Sequence, residues 1–217
     1  MSKSTDPFAI DITPELILRA YQAGIFPMSE DAGSPDIFWV SPEKRGILPL
    51  DGLRVSKSLR KTQRQQPWTL RVDTDFEQVI TRCAEADDGR ETTWINTTIR
   101  RVYGELFARG FCHTVEVWDG ADLIGGLYGL AIGAAFFGES MFHRRTDASK
   151  IAIAHLVARL NAGRFELLDT QFITPHLASL GGVEIPRSDY EIRLAGALQR
   201  KGDWIAIDHR SPTPVSP

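Results

Sequence analysis

The apolar positions along this chain change period several times, and each change marks a new element. A helical pattern starts behind Thr13, an N-cap type, has Pro14 at its first turn, and stops at Gly24. Pro27, Gly33, Pro35, Pro42 and Gly46 then follow closely. This stretch reads as irregular chain and as the junction between a small N-terminal domain, 1–45, and a main body, 46–217. A polar helix is expected within 54–64, a strand over 68–72, and helices over 74–86 and 96–109, the second closed by Gly110. The period then becomes two. Strands over 111–118 and 122–132 flank a hairpin turn at Asp119-Gly120, and Gly133 turns the chain into a strand over 134–142. Asp147 is expected to cap a helix over 148–162 whose Ile153, Leu156, Val157 and Leu160 share an inward face. A strand over 165–172 follows, and Ser188 with Glu191 predicts a capping box for the last helix. The tail, 209–217, is expected to fray.

This order of helix, helix, antiparallel meander, helix and strand predicts an α+β fold with a mainly antiparallel sheet. It is similar to the order of the acetyltransferase-like (GNAT) fold. Such a match speaks for a fold and leaves function to the site.

Composition narrows the class. With 42% hydrophobic and 24% charged residues the chain reads as an ordinary globular protein. The longest apolar stretch, 123–138, is rich in Gly and Ala and is broken at Gly133, so it reads as two strands and not as a membrane span. The opening MSKSTDPFAI lacks the apolar core of a signal peptide, and the cytoplasm is the expected compartment. Cys83 and Cys112 make no disulfide framework, and no Cys/His cluster has metal spacing. A net charge of −3 argues against a surface that binds polyanions everywhere. The segment RVSKSLRKTQR, 54–64, is locally different, with no acid. Lys57, Lys61 and Arg64 recur at helical spacing, with Arg60 beside them. The stripe reads either as a solvated face or as a phosphate-contacting one.

Candidate chemistry gathers at three places. In AAFFGESMF, 134–142, Glu139 sits among Phe136, Phe137, Met141 and Phe142. A lone carboxylate in apolar surroundings is costly unless a cation or donors meet it. Either Arg144 or Arg145 pairs with it, or an ammonium-bearing ligand with an apolar side chain arrives there, which describes an amino acid. Asp169 and Gln171 alternate along one predicted strand and are expected on one face, with Leu168, Thr170 and Phe172 on the other. They read either as a structural pair or as a proton acceptor or cation holder beside a carbonyl-orienting amide. Trp39 and Trp94 lie in polar company, as lids over the core or as stacking platforms for a base, and Tyr103 falls on the helix after Trp94. His113, His143, His155 and His176 have no Ser or Cys partner by spacing and are expected at the surface or hydrogen-bonded in the core. Ser140 does not match a nucleophile elbow. Lys150 reads as a solvated first-turn residue or as an anion contact.

Long blocks carry a resemblance: AYQAGIFP at 20–27, FWVSPEKRGILPL at 38–50, TTWI at 92–95, GGLYGLAIGAAFFGESMF at 125–142, DASKIAIAHL at 147–156, LLDTQF at 167–172 and HLASLGGVEIPRSDY at 176–190. In this order they resemble the leucyl/phenylalanyl-tRNA–protein transferase family over about 15–195. The resemblance implies a cytoplasmic enzyme with a small N-terminal domain and a GNAT-like C-terminal domain. It implies transfer of Leu, Phe or less readily Met from aminoacyl-tRNA to proteins with N-terminal Arg or Lys, marking them for degradation. No metal, acetyl-CoA or other cofactor is implied, no membrane partner is expected, and a monomer is. By motif, Glu139 meets the donor's α-amino group, and Phe136, Met141, Leu156 and Leu127 line the side-chain pocket. Trp94, Tyr103, Trp39 and Met28 are the adenosine candidates, and Asp169 and Gln171 are catalytic. Lys57, Arg60, Lys61 and Arg64 hold the acceptor stem. Met28 stands where many members carry Trp, and a thioether still packs on a base. Two rivals remain at this point. An acetyl-CoA-dependent N-acetyltransferase needs a Gly-rich phosphate loop, whereas HRRTDASK, 143–150, has no glycine. A non-catalytic RNA-binding module leaves Glu139 and the Asp169/Gln171 pair unexplained.

Overall fold

A computed structural model describes residues 11–66, 68–85 and 93–207. In chain order these form α1 (Pro14–Gln22), β1 (Phe26–Met28), β2 (Phe38–Val40), β3 (Lys44–Ile47), α2 (Lys57–Gln65), β4 (Thr69–Val72), α3 (Phe76–Ala84), α4 (Thr97–Ala108), β5 (Cys112–Asp119), β6 (Asp122–Ile132), β7 (Ala135–His143), α5 (Ala148–Ala162), β8 (Leu167–Gln171), α6 (Pro175–Ser179), β9 (Val183–Pro186) and α7 (Arg187–Leu198). The main sheet runs β4-β5-β6-β7-β8-β3-β9, and β1 and β2 pair separately. Only β7 and β8 run parallel; the other neighbours are antiparallel. Helices cover both faces. Tyr21, Val79, Val102 and Tyr190 bring α1, α3, α4 and α7 to one core, and Leu59, Leu156 and Leu177 bring α2, α5 and α6 to the other. Cover on both sides explains why β6 is an almost unbroken apolar run. No described helix is long and apolar enough to cross a membrane. The expected tail, 209–217, and residue 86 lie outside the described residues.

The α1 caps stand as read: the Thr13 hydroxyl accepts from Leu16 N–H, and Gly24 has φ +77°. The capping box at Ser188 and Glu191 does not form. The last helix opens two residues earlier, behind Pro186, with no side-chain cap. Asp147 occupies the N-cap position of α5 but makes no capping bond. Its carboxylate instead accepts from Lys150 Nζ at 2.8 Å and Thr62 Oγ1 at 3.1 Å, tying α2 to α5. Lys150 is therefore a paired residue. The division expected after residue 45 falls inside β3, a strand of the main sheet.

Arg45 makes that strand structurally central. Its Nε and Nη2 donate to Asp169 Oδ1 and Oδ2 at 2.9 and 2.7 Å, and its Nη1 donates to Gly24 O at 3.0 Å. The guanidinium lies 4.5 Å from the ring centres of both Phe26 and Tyr190. Tyr190 Oη donates to Asp169 Oδ2 at 2.7 Å. Burial pushes the Arg45 pKa down, but hydrogen bonding and attraction to Asp169 outweigh it and leave the pKa raised. Removing one partner of such a pair strands a buried charge, whereas replacing both by apolar groups is often tolerated. Arg45→Met should cost about 3–5 kcal/mol in urea unfolding. The double variant Arg45→Met/Asp169→Leu should recover much of it. A double variant less stable than the single one would overturn this account of the pair.

Candidate active site

A cavity of about 1050 Å³ opens where β7 and β8 part. The strands pair from Ala135–Leu167 to Phe137–Asp169. Beyond that β7 continues to His143, while β8 ends at Gln171. On the α5 side the wall is an apolar slot of Leu48, Leu127, Met141, Ile153, Leu156 and Leu168. On the other side stand Phe26, Pro27, Met28, Trp94 and Phe142. Glu139 and Gln171 also line it.

Both strands break register here. On β7, Ser140 faces Tyr128 and Gly138 faces Gly129, so Glu139 is an extra residue. On β8, Asp169 faces Ile47 and Gln171 faces Gly46, so Thr170 is extra. A bulge re-aims side chains and reverses the alternation beyond it. Thus Phe136 and Met141 lie on the α5 side, while Phe137 and Phe142 pack in the opposite core. Each bulge needs a glycine across from it. A Cβ on Gly129 would fall 2.3 Å from Phe137 O, and one on Gly46 would fall 2.6 Å from the Phe172 carbonyl carbon. Gln171 takes φ +58°, a region unfavourable for a side-chain-bearing residue. Asp169 Oδ1 accepts its N–H at 2.8 Å and holds it there.

Five buried polar atoms of cavity-lining residues have no hydrogen-bond partner: Arg82 Nε, Glu139 Oε1, Thr170 Oγ1, Gln171 Nε2 and His176 Nε2. Buried polar groups are normally satisfied, so their convergence on one cavity marks a place that receives a polar ligand. Glu139 is partly accessible as a residue, but its Oε1 is fully buried. Tyr103 Oη donates to its Oε2 at 3.1 Å, and Tyr103 and Tyr21 hydroxyls lie 2.7 Å apart. Burial drives the Glu139 pKa up to about 8, opposed by the Tyr21 and Tyr103 hydroxyls and raised further by Asp169. Neither Arg144 nor Arg145 pairs with it; Arg144 binds Glu85 at 2.7 Å.

The expected residues divide. Glu139, Met141, Leu156, Leu127, Gln171, Trp94 and Met28 meet in the cavity. Phe136 is fully buried and stacked on Trp204 at 5.3 Å, behind the slot and not in it. Tyr103 lies below Glu139 and is no part of an exposed wall with Trp94. Trp39 sits on β2 opposite Pro27, packed on the core and off the cavity lining. Asp169 does not share the cavity with Gln171, because the Thr170 bulge separates them and Arg45 encloses its carboxylate. Lys57, Arg60, Lys61 and Arg64 are all exposed on α2 and make no ion pair among the described residues. No group of His, Cys, Asp and Glu among the described residues is arranged to hold a metal ion. Sequence reasoning missed Arg45, Tyr190 and Thr170, and it took His176 for a surface or core residue. Nothing in local spacing marks them, since their partners are distant in the chain.

The raised Glu139 pKa has a stability consequence. Between about pH 4.5 and 8 the folded protein keeps a proton that the unfolded chain releases, so stability falls as pH rises through that window. The slope approaches about 1.4 kcal/mol per pH unit. Glu139→Gln should lose this dependence, so its advantage in urea unfolding should grow from pH 5 to 8 and level off above. Parallel pH profiles for both proteins would refute the assigned burial.

The profile described as leucyl/phenylalanyl-tRNA protein transferase matches 47–195, and that of the family's N-terminal domain matches 10–43. A leucyl/phenylalanyl-tRNA–protein transferase of Afipia carboxidovorans is 54% identical over 209 residues, covering 96% of this chain and 92% of the relative. Proteins of the same name from two Rhodopseudomonas palustris strains are 56% and 53% identical, covering 90% and 95% of this chain and 88% and 90% of theirs. Among solved structures, the C-terminal domain (DUF2156) of a putative lysylphosphatidylglycerol synthetase from Agrobacterium fabrum matches at 10% identity and a TM-score of 0.39, covering 85% of this chain and 63% of that one, too distant to carry an argument. The sequence blocks, both profiles and relatives matched over nearly their full length place this chain in the leucyl/phenylalanyl-tRNA–protein transferase family.

Proposed function

We propose that this protein transfers leucine or phenylalanine, and less readily methionine, from aminoacyl-tRNA to the α-amino group of proteins beginning with Arg or Lys. The observation that carries the reading is the cavity. It passes between β7 and β8 with an apolar slot on one side, an aromatic and thioether face on the other, and the unpartnered Glu139 Oε1 between them. An esterified amino acid fits this plan. Its side chain enters the slot, its ammonium meets Glu139, and its adenosine lies against Trp94 and Met28. The α2 stripe of Lys57, Arg60, Lys61 and Arg64 is free to meet the acceptor stem. A GNAT-like catalytic domain with a small N-terminal domain, a monomer, and a cytoplasmic setting belong to the same reading.

The chemistry needs no cofactor, because the donor ester is already activated. The acceptor amine attacks the ester carbonyl, a C–N bond forms, the C–O bond to ribose breaks, and the ribose oxygen leaves with a proton. Holding amine and carbonyl together supplies roughly 7–11 kcal/mol. We assign Gln171 to orient the carbonyl from its fixed left-handed turn. We assign Asp169 to position Gln171 through the backbone, with the ribose hydroxyl relaying the proton, since both Asp169 oxygens already accept hydrogen bonds. Single-turnover rates test this. Gln171→Ala should lower the rate constant at saturating acceptor on the order of a hundredfold, the range for a lost charge-stabilising donor. An unchanged rate constant would remove Gln171 from the reaction.

Donor choice follows from the slot. One methylene is worth about 1–3 kcal/mol, so Leu, Phe and Met overlap while β-branched Ile and Val fit badly. Met141→Ala should narrow the gap between Leu and Ile donors, measured as a ratio of kcat/KM. The primary experiment is transfer of radiolabelled Leu from Leu-tRNA to a protein beginning with Arg, with an Ala-initiated control. Label on neither protein would overturn the reading, as would acetylation by acetyl-CoA in its place.

A further inference from the structure

The cavity has a cationic corner on the side of Trp94 and Met28. Arg82 in the last turn of α3 and Arg144 just beyond β7 both line it. Glu85 stands between them, accepting from Arg82 Nη1 at 2.8 Å and from Arg144 Nη2 at 2.7 Å. One carboxylate thus accepts from two guanidiniums, and these three side chains together carry one net positive charge. Only one N–H of each guanidinium is used in these ion pairs, although each has five to offer. Arg82 Nε is buried with no hydrogen-bond partner, while half of the Arg144 side chain, 50%, is open. Arg144 N–H also donates to Ile124 O at 2.7 Å, which anchors that end of the corner to β6. Two planar cations held at fixed spacing, with donors to spare, suit a phosphate better than a carboxylate already shared.

We propose that Arg82 and Arg144, spaced by Glu85, bind the internucleotide phosphate that precedes the terminal adenosine of the donor. The inference rests on the transfer reading above, which puts that adenosine against Trp94 and Met28. It assigns this corner a task separate from that of α2. The corner grips one phosphate at the cavity mouth, and the α2 stripe grips the stem.

Three leucyl donors separate the possibilities: leucyl-adenosine, which has no internucleotide phosphate, the leucyl ester of cytidylyl-adenosine, which has one, and Leu-tRNA. For Arg82→Ala and for Arg144→Ala, KM should rise on the order of tenfold with the dinucleotide ester and with Leu-tRNA, the effect of one lost charge-assisted contact. It should stay unchanged with leucyl-adenosine. Lysine at either position should restore part of the loss, and the salt dependence of the dinucleotide KM should flatten by about one phosphate contact. Equal loss with leucyl-adenosine would make the corner a structural ion pair and overturn the proposal. An unchanged KM with the dinucleotide ester would overturn it as well. If the unaltered protein used none of the three donors, the transfer reading itself would fall and this site with it.

Discussion

The buried pair of Arg45 and Asp169 is the constraint on which the rest of this structure depends. Four segments meet at it: the turn after α1 through Gly24 O, the ring of Phe26, the strand β8, and α7 through Tyr190. An unpaired charge at this depth is strongly unfavourable, so the four segments are held to one arrangement. That arrangement reaches the cavity directly. The Asp169 oxygen that binds Arg45 Nε also accepts the Gln171 N–H and stabilises its left-handed backbone.

The cavity exists because the sheet is irregular at the one place where its strands run parallel. β7 and β8 begin side by side and then part, and each carries a bulge near the split. The two bulged residues, Glu139 and Thr170, each present a polar atom with no partner. A regular sheet would have paired this backbone and buried these side chains in the two cores. Gly129 and Gly46 permit the breaks, because a side chain there would collide with the backbone of β7 at Phe137 and with the backbone just past β8 at Phe172.

The electrostatics of the cavity are uneven for a physical reason. Glu139 has hydroxyl partners but no cation, and its burial keeps it protonated to about pH 8. In the proposed reading, the donor's ammonium supplies the missing charge and favours the ionised form. On that proposal, specificity is shared between a charge that matches any α-amine and a slot that selects among side chains by shape. Arg82 and Arg144 are both paired with Glu85, so neither is the cation that meets Glu139.

Much of the architecture was legible in the sequence, because helix caps, hairpin turns and apolar periodicity are local. The meander, the long central helix and the basic stripe of α2 follow from residues close together in the chain. So does the anomaly at Glu139, since an acid inside FFGESMF conflicts with its neighbours whatever the fold. The failures were equally physical. The sequence could not separate Asp169 from Gln171, because strand alternation predicts one face and only pairing with β3 introduces the bulge between them. It placed Phe136 in the slot and Tyr103 on a wall, because apolar and aromatic character does not say which layer a residue occupies. It overlooked Arg45, a charged residue in a polar loop-like segment that is buried only because Asp169, more than a hundred positions later, comes to meet it. Local periodicity determined the elements and the unusual carboxylate; long-range pairing decided which polar groups were satisfied and which were left facing the cavity.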